Sequence, residues 1–167
     1  MTDNTTATSK ATGINAPEGV PFITIVREFD ASVDALYHAY TDPGLVAQWL
    51  GPRRYALQIR EWDLRTGGSW SYANIVPGGD TVYGFHGSFH SVTPGERIVQ
   101  TFEFEGAPGH VSLESATFEP MGNRSRVVID SVFQSVQARD ATLAHGMEGG
   151  VTEGFERLDE LLAQRAQ

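Results

Sequence analysis

The side chains that could hold a metal, move a proton or orient a ligand are few in this sequence: His86 and His90, His145, Glu148, and the polar-tipped aromatics Trp70, Tyr72 and Tyr83. His86 and His90 have the four-residue spacing of a helical metal pair, but they sit in a stretch that alternates with period two. On a strand, four residues span roughly 13 Å, too far for one ion. Both also fall on the polar face, so no metal site is expected. His145 is read either as an acid or base at the mouth of a pocket or as a surface histidine. Glu148, beside Met147 in a glycine-rich stretch, is read either as a ligand-orienting group or general base, or as a solvated carboxylate. His38 lies off the apolar stripe of its helix and reads as a surface or rim residue.

Several chemistries are excluded outright. There is no cysteine, hence no disulfide, thiolate nucleophile, thiolate zinc site or iron–sulfur cluster. The only lysine, Lys10, lies in the N-terminal segment and leaves the folded body no amine for a Schiff base. Neither Gly-x-x-x-x-Gly-Lys-Ser/Thr nor Gly-x-Gly-x-x-Gly occurs. Gly67-Gly68-Ser69-Trp70-Ser71 falls one residue short of a nucleophile elbow, and it opens a strand where that motif needs a strand-to-helix turn. No catalytic residue and no cofactor is assigned.

The aromatic residues make a stronger pattern. Trp49, Trp70, Tyr72, Tyr83, Phe85, Phe89, Phe102, Phe104, Met147 and Phe155 all project toward one interior by periodicity. Each alone reads as core, but as a set they have the character of an apolar pocket wall, with Trp70, Tyr72 and Tyr83 supplying polar atoms that need partners when buried. Gly146, Gly150 and Gly154 recur every four residues, and Gly149 lies among them. Each glycine in a helix interior costs about 0.8–1 kcal/mol relative to Ala. The missing side chains leave room either for a ligand, with Gly150 and Val151 on the pocket side, or for close packing of the helix.

The elements that would position these groups follow from the hydrophobic period. Residues 1–19 carry no aromatic side chain and read as a disordered tail. Phe22-Ile23-Thr24-Ile25-Val26 is a strand. Val33, Leu36, Tyr37 and Tyr40 recur at helical spacing behind Ser32, a candidate N-cap. Asp42-Pro43 ends that helix and starts a short second one, which Gly51-Pro52 stops. From about 54 to 135 the period is two and turn signals such as Thr66-Gly67-Gly68 and Met121-Gly122-Asn123 separate six strands, so the sheet is antiparallel. After about 138 the period returns to 3.6, and Leu143, Met147, Val151, Phe155, Leu158 and Leu162 form the stripe of one long amphipathic helix. One aromatic sheet face and one helical stripe must bury each other, giving a single α+β domain over 20–167.

Charge and hydropathy bound the partners. A formal net charge of −9 repels phosphate backbones and anionic membranes, so nucleic acid is not an expected partner. No apolar run approaches the roughly 18–20 residues of a membrane span. The polar N-terminus lacks the basic start and apolar stretch of a signal peptide, which points to the cytoplasm.

Seven short motifs in order extend this reading: Arg27-Glu28-Phe29-Asp30-Ala31; Tyr40-Thr41-Asp42-Pro43 with Gln48-Trp49-Leu50-Gly51-Pro52; Asp63-Leu64-Arg65-Thr66-Gly67-Gly68-Ser69-Trp70; Gly87-Ser88-Phe89; Thr93-Pro94-Gly95-Glu96-Arg97-Ile98-Val99; and Gly146-Met147-Glu148-Gly149-Gly150-Val151 leading to Arg157-Leu158 and Leu161-Leu162. Together they resemble the START-like helix-grip (SRPBCC) superfamily and, within it, the Aha-type heat-shock-protein-90 ATPase activator-homologue family. The resemblance implies a curved antiparallel sheet of about seven strands wrapped around a long C-terminal helix. It implies a cavity for a hydrophobic or aromatic small molecule, a lipid or polyketide-like compound among them. It leaves open a cyclase- or aromatase-like enzyme, a chaperone-interaction module and a homodimer. Leu50 stands where many relatives carry a second Trp, and the C-terminal helix has Val151 and Phe155 but no Trp.

Overall fold

The computed structural model describes residues 10–167. Eight strands form one antiparallel sheet in the order β1-β2-β8-β7-β6-β5-β4-β3. They are β1 (Gly13–Asn15), β2 (Phe22–Phe29), β3 (Ala56–Trp62), β4 (Ser69–Ile75), β5 (Val82–Thr93), β6 (Arg97–Phe104), β7 (Val111–Met121) and β8 (Arg124–Val132). Helices α1 (Val33–Thr41) and α2 (Pro43–Trp49) follow β2, and α3 (Val136–Ala144) and α4 (Met147–Arg165) end the chain. The chain has the helix-grip arrangement: the sheet curves, and its concave face turns toward the helices.

Local chemistry explains the first two helices. Ser32 caps α1 by accepting from the Ala35 N–H at 3.2 Å, which satisfies one of the open donors of the first turn. Asp42 does the same for α2, accepting from the Leu45 N–H at 3.0 Å, and Pro43 occupies the first turn, where no backbone donor is needed. At the other end of α2 the Arg157 guanidinium donates to the carbonyls of Gln48 (2.7 Å) and Gly51 (3.0 Å). A cation on the exposed carbonyls of a helix C-terminus is favourable, and this one ties α4 to α2.

Two expectations need correction. The C-terminal helical stretch is broken in two at Gly146, whose φ of 81° only glycine adopts readily. There α3 ends, with the His145 N–H bonded to the Ala141 carbonyl and the Gly146 N–H to that of Leu143. The stretch read as a tail is the second. Residues 1–9 of it lie outside the described residues, but Gly13–Asn15 forms the edge strand β1, pairing Gly13 with Val26, Ile14 with Ile25 and Asn15 with Thr24. Three residues are too few to show a period. The tertiary contacts that hold them are distant in sequence: Lys10 Nζ lies 2.6 Å from Asp30 and 3.5 Å from Asp159, and buried Arg139 of α3 donates to the carbonyl of Pro17 at 2.6 Å.

The core sits where α1, α2 and the second half of α4 meet the strands. Leu36, Ala39, Trp49, Phe155, Leu158, Leu161 and Leu162 bury against Ile23, Ile25, Phe29, Phe118 and Val127. Arg27, on the same face of β2, is 3% exposed and pairs with Asp159 of α4. Gly154 allows the close approach of α4 to the end of α2: a Cβ there would stand 3.4 Å from the Trp49 carbonyl oxygen and 3.5 Å from the Gly51 nitrogen. Of the two readings offered for the glycine stripe, helix packing accounts for this position.

Candidate site on the concave face of the sheet

The closeness of the helices to the concave face divides the inward aromatic residues into two groups. The first is filled core. Trp49 stacks on Phe155 with centroids 6.4 Å apart and donates its indole N–H to the Ala39 carbonyl at 2.9 Å. Phe89 meets Trp62 edge-on at 5.8 Å. Trp49, Phe89 and Phe155 were expected on a pocket wall; each is at most 3% exposed and is packed on every side. They are core because α1 and α2 close over that end of the sheet, a long-range contact that periodicity does not report.

The second group is a wall across β4, β5 and β6 that is buried at Trp70 (2% exposed) and Tyr72 (8%) and opens at Phe85, Phe102, Phe104 and Tyr83. Trp70 stacks on Tyr72 at 5.3 Å, Tyr72 leans on Phe85 at 5.2 Å, and Phe85 meets Phe102 at 5.4 Å and Phe104 at 5.1 Å. Trp70 also meets Phe102 at 5.6 Å. Tyr83 continues the series at 6.3 Å from Phe104 and is 36% exposed at its outer end. Such ring pairs are favourable beyond the area they bury. Phe85, Phe102 and Phe104 face inward yet stay only partly buried. On α4, Met147, Gly150 and Val151 are partly buried, and Gly150 is directed at Pro52, 3.9 Å from its missing Cβ.

His145 and Glu148, the polar groups singled out beforehand, are both exposed. The ring of His145 approaches the Ala141 carbonyl. Glu148 lies with Thr12, Ile14, Gly149, Thr152 and Glu153 along an open groove of about 560 Å³ between β1 and α4, away from the aromatic wall. Gly146 breaks the helix just ahead of Glu148, so an orientation inferred from one continuous helix does not hold. His86, on the convex face, lies 3.2 Å from Glu103, and His90 is exposed.

The ionisable group inside is one the sequence reading passed over. Glu114 of β7 belongs to a row that the strand register carries across the concave face: Phe89 pairs with Gln100, Gln100 with Glu114, Glu114 with Ser131, and Ser131 with Ile23. Gln100 donates to Glu114 Oε2 at 3.4 Å, and Ser131 also bonds to this carboxylate. Burial pushes the Glu114 carboxyl up to about 7, while the bonds from Gln100 and Ser131 pull the other way. Burial also raises the phenols of Tyr72 and Tyr40, and the charge of nearby Glu114 adds to both shifts. Glu114, Gln100, Tyr40 and Phe102 are surrounded by protein but keep accessible surface, which means that open space adjoins them. A signal for Glu114 did exist: it shares parity with Ala116 and with buried Phe118, whose ring meets Tyr37 and Tyr40. Chemically, the arrangement offers a flat aromatic surface, a carboxyl able to ionise near neutrality and a buried indole N–H on Trp70 that has no acceptor among the described residues.

Comparison with known proteins agrees with this architecture. The family model described as Activator of Hsp90 ATPase homolog 1-like protein matches residues 30–163. A solution structure of an Arthrobacter aurescens protein superposes with a TM-score of 0.83 at 26% identity, covering 91% of each chain. A Rhodobacter sphaeroides protein gives 0.84 at 23% identity over 92% of this chain and 99% of its own. The AHSA1 protein from Silicibacter pomeroyi gives 0.71 at 23% identity over 86% of this chain and 99% of its own. Among curated proteins, none matches the chain.

Proposed function

Because the chain belongs to the Activator of Hsp90 ATPase homolog 1-like family and carries its fold, we propose that it binds an aromatic or otherwise apolar small molecule on the concave face of the sheet. The carrying observation is the wall of Phe85, Phe102 and Phe104, contiguous rings that face inward and remain partly accessible, backed by buried Tyr72. Apolar ligand sites combine such walls with a few convergent polar groups, and Glu114, Gln100 and the Trp70 N–H supply them. The test is native mass spectrometry of the purified protein with extraction of any bound compound, followed by titration with 1-methylnaphthalene. Phe85→Ala and Phe102→Ala should each weaken that binding about tenfold, the loss of one buried ring face. Unchanged binding in both variants, or none in the parent, would remove this reading.

Two other readings each have a supporting observation. A carboxyl near 7 beside Tyr72 suits general acid–base work on a bound ligand, as a cyclase- or aromatase-like enzyme requires. Contact with a chaperone is supported by the convex face, where Phe22, Val132 and Leu113 lie side by side in register and are 48%, 41% and 45% exposed. For that reading, Leu113→Ser should abolish co-purification with the chaperone and leave naphthalene binding intact.

No helix among the described residues is long and apolar enough to cross a membrane.

A further inference from the structure

Glu114 has an unusual environment for a carboxylate. Its protein partners are the neutral groups Gln100 and Ser131, and among the described residues no Arg, Lys or His forms an ion pair with it. The buried cation on this face, Arg27, is committed to Asp159. Buried carboxylates ordinarily have a cationic partner, because desolvating the charge is costly without one. The other ionisable groups facing Glu114, Tyr40 from α1 and Tyr72 from β4, are phenols held neutral by burial. A second buried group is also unpaired: the Trp70 indole N–H lies on the concave face at 2% exposure and has no acceptor among the described residues.

Around these groups are π faces, with Trp70, Tyr72, Phe85 and Phe102 in mutual contact. Aromatic faces attract organic cations as well as flat apolar rings, and the attraction grows where water is excluded. The field of the whole chain, net −9, favours the approach of cations and disfavours that of anions.

We propose that the ligand of this site is an aromatic or apolar amine whose ammonium group pairs with the Glu114 carboxylate, while its ring system lies on the wall of Phe85 and Phe102. The ammonium supplies the counter-charge that the protein does not. An oxygen acceptor elsewhere on the ligand would satisfy the Trp70 N–H. A carboxylate-bearing ligand of the same shape is rejected, because it would bring a second negative charge beside Glu114. This inference rests on the small-molecule reading above and narrows it to one ligand class.

Three probes with the same ring test it: 1-naphthylmethylamine, 1-methylnaphthalene and 1-naphthoate, titrated against the full chain at pH 8 with tryptophan fluorescence or calorimetry as readout. The expected order is amine, then hydrocarbon, then carboxylate, with the amine bound about tenfold or more tighter than the hydrocarbon. Glu114→Gln should remove the preference for the amine, and its cooperative urea unfolding at pH 8, at least as stable as the parent's, shows that the variant is folded. Phe102→Ala should weaken the amine and the hydrocarbon together. If the amine and hydrocarbon bind equally in the parent, or if the amine preference survives in Glu114→Gln, the anchor is overturned and the apolar site stands. If none of the three binds, both readings fall.

Discussion

Glu114→Gln should make the protein more stable at neutral and alkaline pH and leave it unchanged in acid. A carboxyl whose affinity for its proton is raised on folding, here from the ordinary 4.5 to about 7, penalises the folded state only when ionised. Below about pH 4.5 both the folded and unfolded chains hold the proton, and Glu and Gln are near equivalents. Between 4.5 and 7 the unfolded chain releases its proton while the folded chain keeps it, so stability falls as pH rises, by up to about 1.4 kcal/mol per pH unit. Above 7 both are ionised and the penalty is constant. The full interval corresponds to about 3 kcal/mol, and the accessible part of the side chain reduces this to about 2 kcal/mol. Because Tyr40 and Tyr72 stay neutral throughout, the difference between variant and parent isolates Glu114. Urea unfolding followed by tryptophan fluorescence at pH 4, 5.5, 7 and 8.5 measures it. The variant's advantage should be near zero at pH 4, rise through 5.5 and level off above 7, where it amounts to about 4–8 °C in Tm for a chain of this size. An advantage that is flat with pH, or a variant less stable than its parent at pH 8.5, would refute the placement of Glu114 in a low-dielectric interior without a cationic partner.

Two further predictions concern the fold. Asp159→Ala leaves the Arg27 guanidinium, 3% exposed, without its ion-pair partner, and should cost about 2–3 kcal/mol in urea unfolding; Arg27→Met added to Asp159→Leu should recover much of that loss, since no buried charge then remains. In α4, a Cβ at Gly149 meets nothing within 4 Å among the described residues, whereas one at Gly154 meets the backbone of Trp49 and Gly51. Accordingly Gly149→Ala should raise stability by about 0.8–1 kcal/mol through helix propensity, and Gly154→Val should lower it by about 1–3 kcal/mol through overpacking, both read from thermal melts.

The helix-grip architecture was legible because its signals are local. Ser32, Asp42-Pro43 and Gly51 mark helix ends by their own chemistry, and the alternation Trp70-Ser71-Tyr72 or Phe102-Glu103-Phe104 assigns each side chain to a face without reference to any partner. Alternation could not say how far the two layers approach along that face. At one end α1 and α2 close down, and Trp49, Phe89 and Phe155 become core. At the other the helices stand off, and Phe85, Phe102 and Phe104 remain a wall. The periods that select these six residues, two on the strands and 3.6 on the helices, make them look alike. Strand β1 was hidden for a related reason, since three residues show no period and their ties through Lys10 and Arg139 reach distant parts of the chain.

What the sequence determined by itself is therefore the elements other than β1 and the break at Gly146, their order, and the face each residue occupies, because dihedral preference, capping and hydrophobic period act within a few residues. What only the tertiary structure decided is the register that sets Glu114 between Gln100 and Ser131, beside Tyr40 and Tyr72. That neighbourhood joins five elements, β6, β7, β8, α1 and β4, and its low dielectric and missing counter-charge exist only once the sheet has closed around it.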